Sequence, residues 1–518
     1  MKKVVIVGAG PAGLTAAYKL LKDSNKYEVI ILEKDSLVGG ISKSINFDNY
    51  IVDTGIHRFF SRNDEVNTIW KELLPLQSKL AYDDKLLNRK INLDKDGIDP
   101  NKEDNVLLVK NRVTRILYDN KFYDYPVSMN MNTIKNLGFI NILAAGFSYL
   151  KALIFKKKET NLENFYINRF GKKLYNMFFE SYTEKVWGIH PSKIDASWGS
   201  QRVKGLSIRK VLLDMINKKR NKKNLNNTET SLIESFYYPK KGCIAMYEKM
   251  RDEIIKMGGS IILDAEVNKI HIKNNTIKSI DYLKNNKIVN EKCDYLISSM
   301  PIKDLISNMD INVPKNIYNY ATKLPYRSFM SVVFVLDKLN LKNETNIKTI
   351  NNIVPDSWIY IQEKNVSLGR IQIFNNWSPY IFPDLKSFKK DILISFEYFC
   401  DENDKYWNMK KEDFIKFAKE EGIKLNLFKE DNIKKAYQIK IPKAYPAYFG
   451  TYKYMPKIEK YIDSFNNLYC IGRNGEHKYN NMDHSMLTGI TVSDVIINNL
   501  DKKIIWDVNT EKCYNEEK

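Results

Sequence analysis

Hydrophobic and polar positions alternate along this chain in two rhythms. Compact apolar runs at 2–7 and 27–32 read as buried strands, and residues 14–21 between them carry apolar side chains at helical spacing. Residues 133–232 read mostly as helix, with the clearest period over 162–179. Strand-like runs return at 260–263, 265–272, 276–283 and 295–299. Those at 330–336, 359–362, 370–374 and 392–399 suggest a second sheet. A last buried strand is expected at 468–472 and a helix at 486–500, while the Lys-, Asn- and Thr-rich stretch 217–231 reads as an exposed linker. This order predicts an α/β protein with a discontinuous first domain made of 1–90, 233–300 and 440–505. A mainly helical insert at 91–232 and a mixed-sheet domain at 301–439 interrupt it, and 506–518 form a tail.

One stretch, 137–155 (LGFINILAAGFSYLKALIF), is almost long enough to span a bilayer. Asn141 and Lys151 interrupt it, so a buried or partly buried helix is preferred over a membrane span. A helix docked on a membrane surface and anchored by Lys156, Lys157 and Lys158 stays open as a further reading.

The first strand runs straight into Gly8-Ala9-Gly10-Pro11-Ala12-Gly13, and the second ends at Glu33, followed by Lys34. A β-α-β unit with this glycine spacing is a dinucleotide-binding fingerprint. Gly8 permits the tight turn, Gly10 lets a pyrophosphate approach the backbone, and Gly13 lets the helix pack closely on the strand. The helix N-terminus offers N–H groups and a positive dipole end to the phosphates. Glu33 can accept hydrogen bonds from a ribose. A further pair, Gly39-Gly40, soon after the acid, with Pro11 inside the fingerprint, resembles the flavoprotein pattern, in which the backbone at such a pair lies against FAD. Tightly bound FAD is therefore the preferred cofactor, with NAD(P) as the other reading. The fold this predicts is a Rossmann-like domain of the glutathione reductase type.

Composition adds limits. The chain has 518 residues and is 43% hydrophobic, enough for a large core shared by two to four domains. Its formal charge of +20 is spread through a chain rich in Lys, Asn and Ile, and short basic runs such as 156–158 and 218–220 read as solvated faces. No aromatic-interleaved basic module stands out, so nucleic acid is not an expected partner. The positive field favours anionic ligands and acidic membrane surfaces. Five scattered cysteines without CxxC spacing read as reduced thiols of a cytoplasmic protein, and a first strand starting at residue 2 leaves no room for a signal peptide. His190, His271 and His477 lack ligand spacing, so no metal site is expected.

Further segments follow in a recognisable order. They are Asp53-Thr54-Gly55-Ile56-His57-Arg58-Phe59-Phe60-Ser61; Tyr182 to Gly188 with Trp187; Trp198 and Gln201-Arg202-Val203; and Phe236 to Gly242. Trp358-Ile359-Tyr360, Arg370, Asn376-Trp377-Ser378-Pro379-Tyr380, Gly472-Arg473-Asn474-Gly475, Tyr479 and Asp483-His484-Ser485 complete it. Together, from the first strand to Leu500, the chain resembles the UDP-galactopyranose mutases, most closely their longer eukaryotic type. These stand within the amine oxidase- and protoporphyrinogen oxidase-like superfamily of FAD proteins. Ile56 replaces the second glycine of the family's Gly-Gly-His loop, which should stiffen that loop.

The resemblance implies an isomerase for cell-surface glycan synthesis. It would interconvert pyranose and furanose forms of a nucleotide sugar through an adduct at N5 of reduced FAD. Arg202 and Arg370 would grip the diphosphate, since a guanidinium fork donates paired bonds to phosphate oxygens. Tyr360 and Tyr479 would donate hydroxyls to it. Trp377 stands where the family carries a tyrosine, and can donate only from its indole nitrogen. His57 would sit by the flavin's reactive edge, bonding a carbonyl or responding to redox state. Trp187 and Trp198 read as core or cleft wall. The implied cofactor contacts are Gly8, Gly10, Ala12, Gly13, Glu33, Lys34, Gly40, Gly472 and Arg473, with Val267 meeting the adenine through its backbone. Asp483 and Ser485 would stand at a helix N-terminus facing the flavin pyrimidine ring. The alternative is an FAD-dependent oxidoreductase of the protoporphyrinogen oxidase, desaturase or amine oxidase type, taking hydride from its substrate onto N5.

Overall fold

The computed structural model describes residues 1–55, 57–125, 131–196, 198–199 and 235–508. Ile56, the segment with Gln201, Arg202 and Val203, and the expected linker at 217–231 lie outside the described residues.

The apolar runs at the start of the chain form the middle of a five-stranded parallel sheet. Its order is Leu468–Cys470, Tyr295–Ser298, Lys2–Val7, Tyr27–Leu32, Ser260–Ile262. Parallel strands need crossovers, and helix Pro11–Asp23 supplies the first. Helix Met482–Asn498 packs on it so closely that a Cβ on Gly489 would lie 2.4 Å from the Ala12 carbonyl oxygen. Over the sheet's other face lies an antiparallel meander, Glu266–Lys273, Thr276–Lys284 and Lys287–Lys292. Val5, Ile30 and Leu296 share one core with Ile270 and Ile280 of that meander.

The second sheet has seven strands, in the order Ile433–Pro446, Tyr326–Leu336, Ile392–Cys400, Arg370–Ile373, Trp358–Ile361, Thr114–Tyr118, Lys121–Asp124. Its extent corrects the expected boundaries. Residues 91–232 were expected to be mainly helical, yet Leu107–Asn111, Thr114–Tyr118 and Lys121–Asp124 are strands. Thr114–Tyr118 pairs in parallel with Trp358–Ile361, so this stretch is part of the second sheet. Runs this short fall below the window in which helical and strand periods separate. Strand Ile433–Pro446 likewise carries the sheet across the expected boundary at 440. Its lysines and prolines hide it as a strand, and they suit the sheet edge it occupies.

Helix Phe139–Ile154 forms where the apolar stretch predicted it, and of the buried or partly buried helix expected there it is the partly buried one. Ala145 and Ala152 face inward, and the large residues face out. The cause is backbone-close packing on helix Leu162–Phe178. Gly171, at φ +76°, approaches so closely that a Cβ there would lie 2.7 Å from Tyr149 N. Only small side chains fit that seam. Among the described residues no helix is long and apolar enough to cross a membrane.

Candidate active site

The end of strand Lys2–Val7, the N-terminus of helix Pro11–Asp23 and the loop after Glu33 wall a cavity of about 810 Å³. Gly8 takes φ +103°, and a Cβ on it would lie 2.1 Å from Ser299 Oγ. A Cβ on Gly13 would lie 2.0 Å from the Gly8 carbonyl oxygen, so helix and strand meet backbone to backbone. Across the cavity Gly40, at φ +55°, faces Gly10, and a Cβ on it would lie 3.2 Å from Gly10 Cα. The first turn of the helix carries no acidic side chain, and Pro11 spares a donor at its first position. The buried Glu33 carboxylate accepts from Ala9 N at 2.7 Å and Asp35 N at 2.9 Å. Burial raises its pKa against these bonds. Each oxygen keeps a further lone pair for a ribose hydroxyl. A side-chain-free cradle, an anion-ready helix end and a buried acid beyond it fit a dinucleotide.

At its far end the cavity reaches Gly472 and Arg473. Arg473 donates from Nε to Ala444 O and from NH1 to Asn480 O, and its guanidinium lies over Tyr479 at 4.3 Å and Tyr445 at 5.0 Å. Tyr445 stacks on Tyr479 and receives a hydrogen bond from Arg370 NH2 at 2.9 Å. Arg370 also pairs through Nε with the buried Glu397. Tyr182 stands edge-on to Tyr360 at 5.1 Å, and Tyr360 lies against Tyr125 at 4.6 Å. Arg112 covers Tyr125, and Arg58 covers Trp358 at 4.8 Å. A belt of arginines and tyrosines thus runs from the nucleotide cavity along the second sheet. Burial pulls the Arg58 guanidinium down to about 10, and the like charges of Arg112 and Arg370 push the same way. Burial holds the Tyr182 and Tyr445 phenols up, against the pull of Arg370, so both remain O–H donors at neutral pH.

His57 is buried beside this belt, with ring centroids 4.0 Å from Trp377 and 4.6 Å from Trp358. Its Nδ1 lies 2.5 Å from the Gly55 carbonyl oxygen. A carbonyl only accepts, so Nδ1 carries the hydrogen and Nε2 is a lone-pair acceptor. Burial lowers the ring's pKa and keeps it neutral. The carbonyl it bonds is therefore its own loop's, and Nε2 has no hydrogen-bond partner among the described residues.

A family profile described as an NAD(P)-binding Rossmann-like domain matches residues 6–73. A crystal structure of reduced UDP-galactopyranose mutase superimposes on 98% of this chain and 99% of its own, with a TM-score of 0.74 at 19% identity. The fold is that of UDP-galactopyranose mutase. Putrescine oxidase shares it more loosely, with a TM-score of 0.58 at 13% identity over 96% and 99% of the two chains. Among curated sequences, a Klebsiella pneumoniae protein named "Probable UDP-galactopyranose mutase" is 25% identical over 205 residues, 38% of this chain and 44% of its own. An uncharacterised protein of Methanothermococcus thermolithotrophicus is 45% identical over 62 residues, 12% of this chain and 58% of its own. The chain therefore spans less than two thirds of the length of each of these two relatives.

On this UDP-galactopyranose mutase fold, most expected cofactor residues gather around one space. Gly8, Gly10, Ala12, Glu33, Lys34, Gly40, Val267, Gly472, Arg473 and Ser485 all line the cavity. Gly13 and Asp483 do not line it. Gly13 acts in the seam behind, and Asp483 opens helix Met482–Asn498. Burial would raise the Asp483 carboxyl, but the adjacent His484 and a Ser61 bond outweigh it and hold it low. The Val267 carbonyl accepts from Asn308 Nδ2 at 3.1 Å. Arg370, Tyr360 and Tyr479 belong to the belt, whereas Arg202 lies outside the described residues. Trp187 is buried against Trp198 and Tyr479. Trp377 is fully buried behind His57, packed on Phe236 and Tyr238, rather than on an open wall. Sequence reading assigned no role to Arg58, Arg112, Tyr125 or Tyr445. For Arg58 the signal was its place directly after His57.

Proposed function

We propose that this chain binds FAD and acts as a flavin-dependent mutase of nucleotide sugars, interconverting their pyranose and furanose forms. The carrying observation is the belt that sets Arg58, Arg112 and Arg370 among Tyr125, Tyr182, Tyr360 and Tyr445. Three guanidiniums sharing one partly buried face, Arg370 among them held by Glu397, suit a polyanion better than an apolar or amine substrate. A diphosphate leaving the sugar gains negative charge, and preorganised donors stabilise that charge most where water is scarce. The Tyr182 and Tyr445 hydroxyls add neutral donors that stay protonated. When bound, reduced FAD supplies a nucleophilic nitrogen for the anomeric carbon. His57 Nε2 offers a hydrogen-bond acceptor beside the same pocket. Arg202 is a proposed further diphosphate ligand on the strength of the resemblance alone.

The test is turnover of the dithionite-reduced protein on UDP-galactose and a panel of other nucleotide sugars. Furanose product is expected, and Arg58→Gln should lower its rate about a hundredfold while the protein stays yellow. Substrate-driven flavin bleaching with peroxide release and no sugar turnover would instead assign an oxidoreductase.

A further inference from the structure

The helix Phe139–Ile154 inverts the usual amphipathic order. Its packed side carries Ala145 and Ala152, and its outer side carries Phe139, Ile140, Leu143, Phe147, Leu150 and Ile154. Those six fall within an arc of about 100°. Four of them are 73% to 82% exposed: Phe139, Ile140, Phe147 and Ile154. Contiguous large apolar side chains on a surface mark a contact site.

The charge around this face indicates the partner. From residue 125 to 158 the chain has no Asp or Glu, but it has Lys135, Lys151, Lys156, Lys157 and Lys158, all exposed. Glu159, the first acid beyond, is paired with Arg169. A second copy docked on this face would set two lysine rims against each other, and like charges oppose that. An anionic lipid surface matches both features, apolar depth below and phosphates at the rim. At 1.5 Å per residue the 16-residue helix spans about 24 Å, short of a bilayer core.

We propose that helix Phe139–Ile154 docks the protein in the headgroup plane of an anionic bilayer, its aromatic and aliphatic side chains in the acyl boundary and its lysines on the lipid phosphates. The underside of the same helix shares a small core, through Ala145, with Leu174 and Phe178, against which Tyr360 of the belt packs. Docking would hold the belt close to the membrane. The inference does not depend on the reaction proposed above.

Co-sedimentation of the full-length protein with vesicles of equimolar phosphatidylcholine and phosphatidylglycerol is the test. Binding to these vesicles, little binding to phosphatidylcholine alone, and release at high salt are expected. Phe147→Ser with Leu150→Ser should weaken binding about tenfold or more, and Lys156→Gln, Lys157→Gln and Lys158→Gln together about a hundredfold. Both variants should keep the parent's thermal midpoint, since these side chains face solvent. No sedimentation with the anionic vesicles, or sedimentation untouched by the Phe147 and Leu150 changes, overturns the proposal. A dimer in sedimentation velocity that the same two changes abolish also overturns it, and assigns the face to a second copy.

Discussion

The nucleotide cradle and the arginine–tyrosine belt are built on opposite plans. The cradle is made by backbone: glycines at 8, 10, 13 and 40 remove side chains so that main chain can meet main chain or ligand. The belt is made by side chains carried on segments around positions 58, 112, 182, 360, 370, 445 and 479. A backbone site tolerates few shapes and resists substitution by steric force. A side-chain site keeps its fold when one member changes, and loses chemistry instead. This difference can be broken or sharpened experimentally.

The largest effect is expected in the seam of the cradle. Gly13→Val places carbon against the Gly8 carbonyl, and it should abolish flavin binding and cost about 3 kcal/mol or more of stability. Absorbance of the purified protein and its thermal midpoint report both. In the belt, Arg370→Lys keeps a charge for Glu397 but loses the fork. Turnover should fall about a hundredfold with the flavin spectrum intact. A colourless Arg370→Lys protein would erase the distinction between the two plans.

The joint between the regions contributes next. Burial pulls His477 down to about 4, so the unfolded chain, near 6.5, takes up a proton that the folded protein refuses. This contribution to stability is full above pH 6.5 and is lost as pH falls toward 4. Its neighbour Glu476 is opposite. Burial lifts it to about 7 from 4.5, so its contribution is full below pH 4.5 and is lost as pH rises through 7. The two slopes offset each other in the parent. Glu476→Gln should therefore lose about 2 kcal/mol between pH 6.5 and 4 relative to the parent, measured by urea unfolding at each pH. The smallest effect is expected for Glu33→Gln, which keeps the shape of the cradle but weakens its acceptor. Flavin affinity should fall about tenfold, read by fluorescence titration of the apoprotein.

The same contrast explains what sequence could reveal. The β-α-β unit was legible because its glycines, strand runs and acid are contiguous and each has a local steric meaning. Most strands of both sheets were legible from apolar periodicity alone. The belt was legible only in part. Tyr360, Arg370 and Tyr479 came through resemblance, whereas Arg112 and Tyr125 enter because Thr114–Tyr118 pairs with the distant Trp358–Ile361, a register no local pattern encodes. Helix Phe139–Ile154 was legible as a helix, but not in its orientation. Hydrophobicity points to burial, and the fit of Gly171 against Tyr149 demanded that alanines take the packed side.

One feature of the first sheet bears on how the protein is made. Strand Leu468–Cys470 closes one edge of that sheet, and Gly472 and Arg473 directly behind it complete the cavity. Pairing across such a sequence separation is slow, because the intervening loop must close first. During synthesis strand Tyr295–Ser298 waits for a partner that emerges only after every strand of the second sheet has been made. Loading of a dinucleotide thus waits until residue 473 has been made, and any interruption of synthesis before residue 470 leaves an open sheet prone to aggregate.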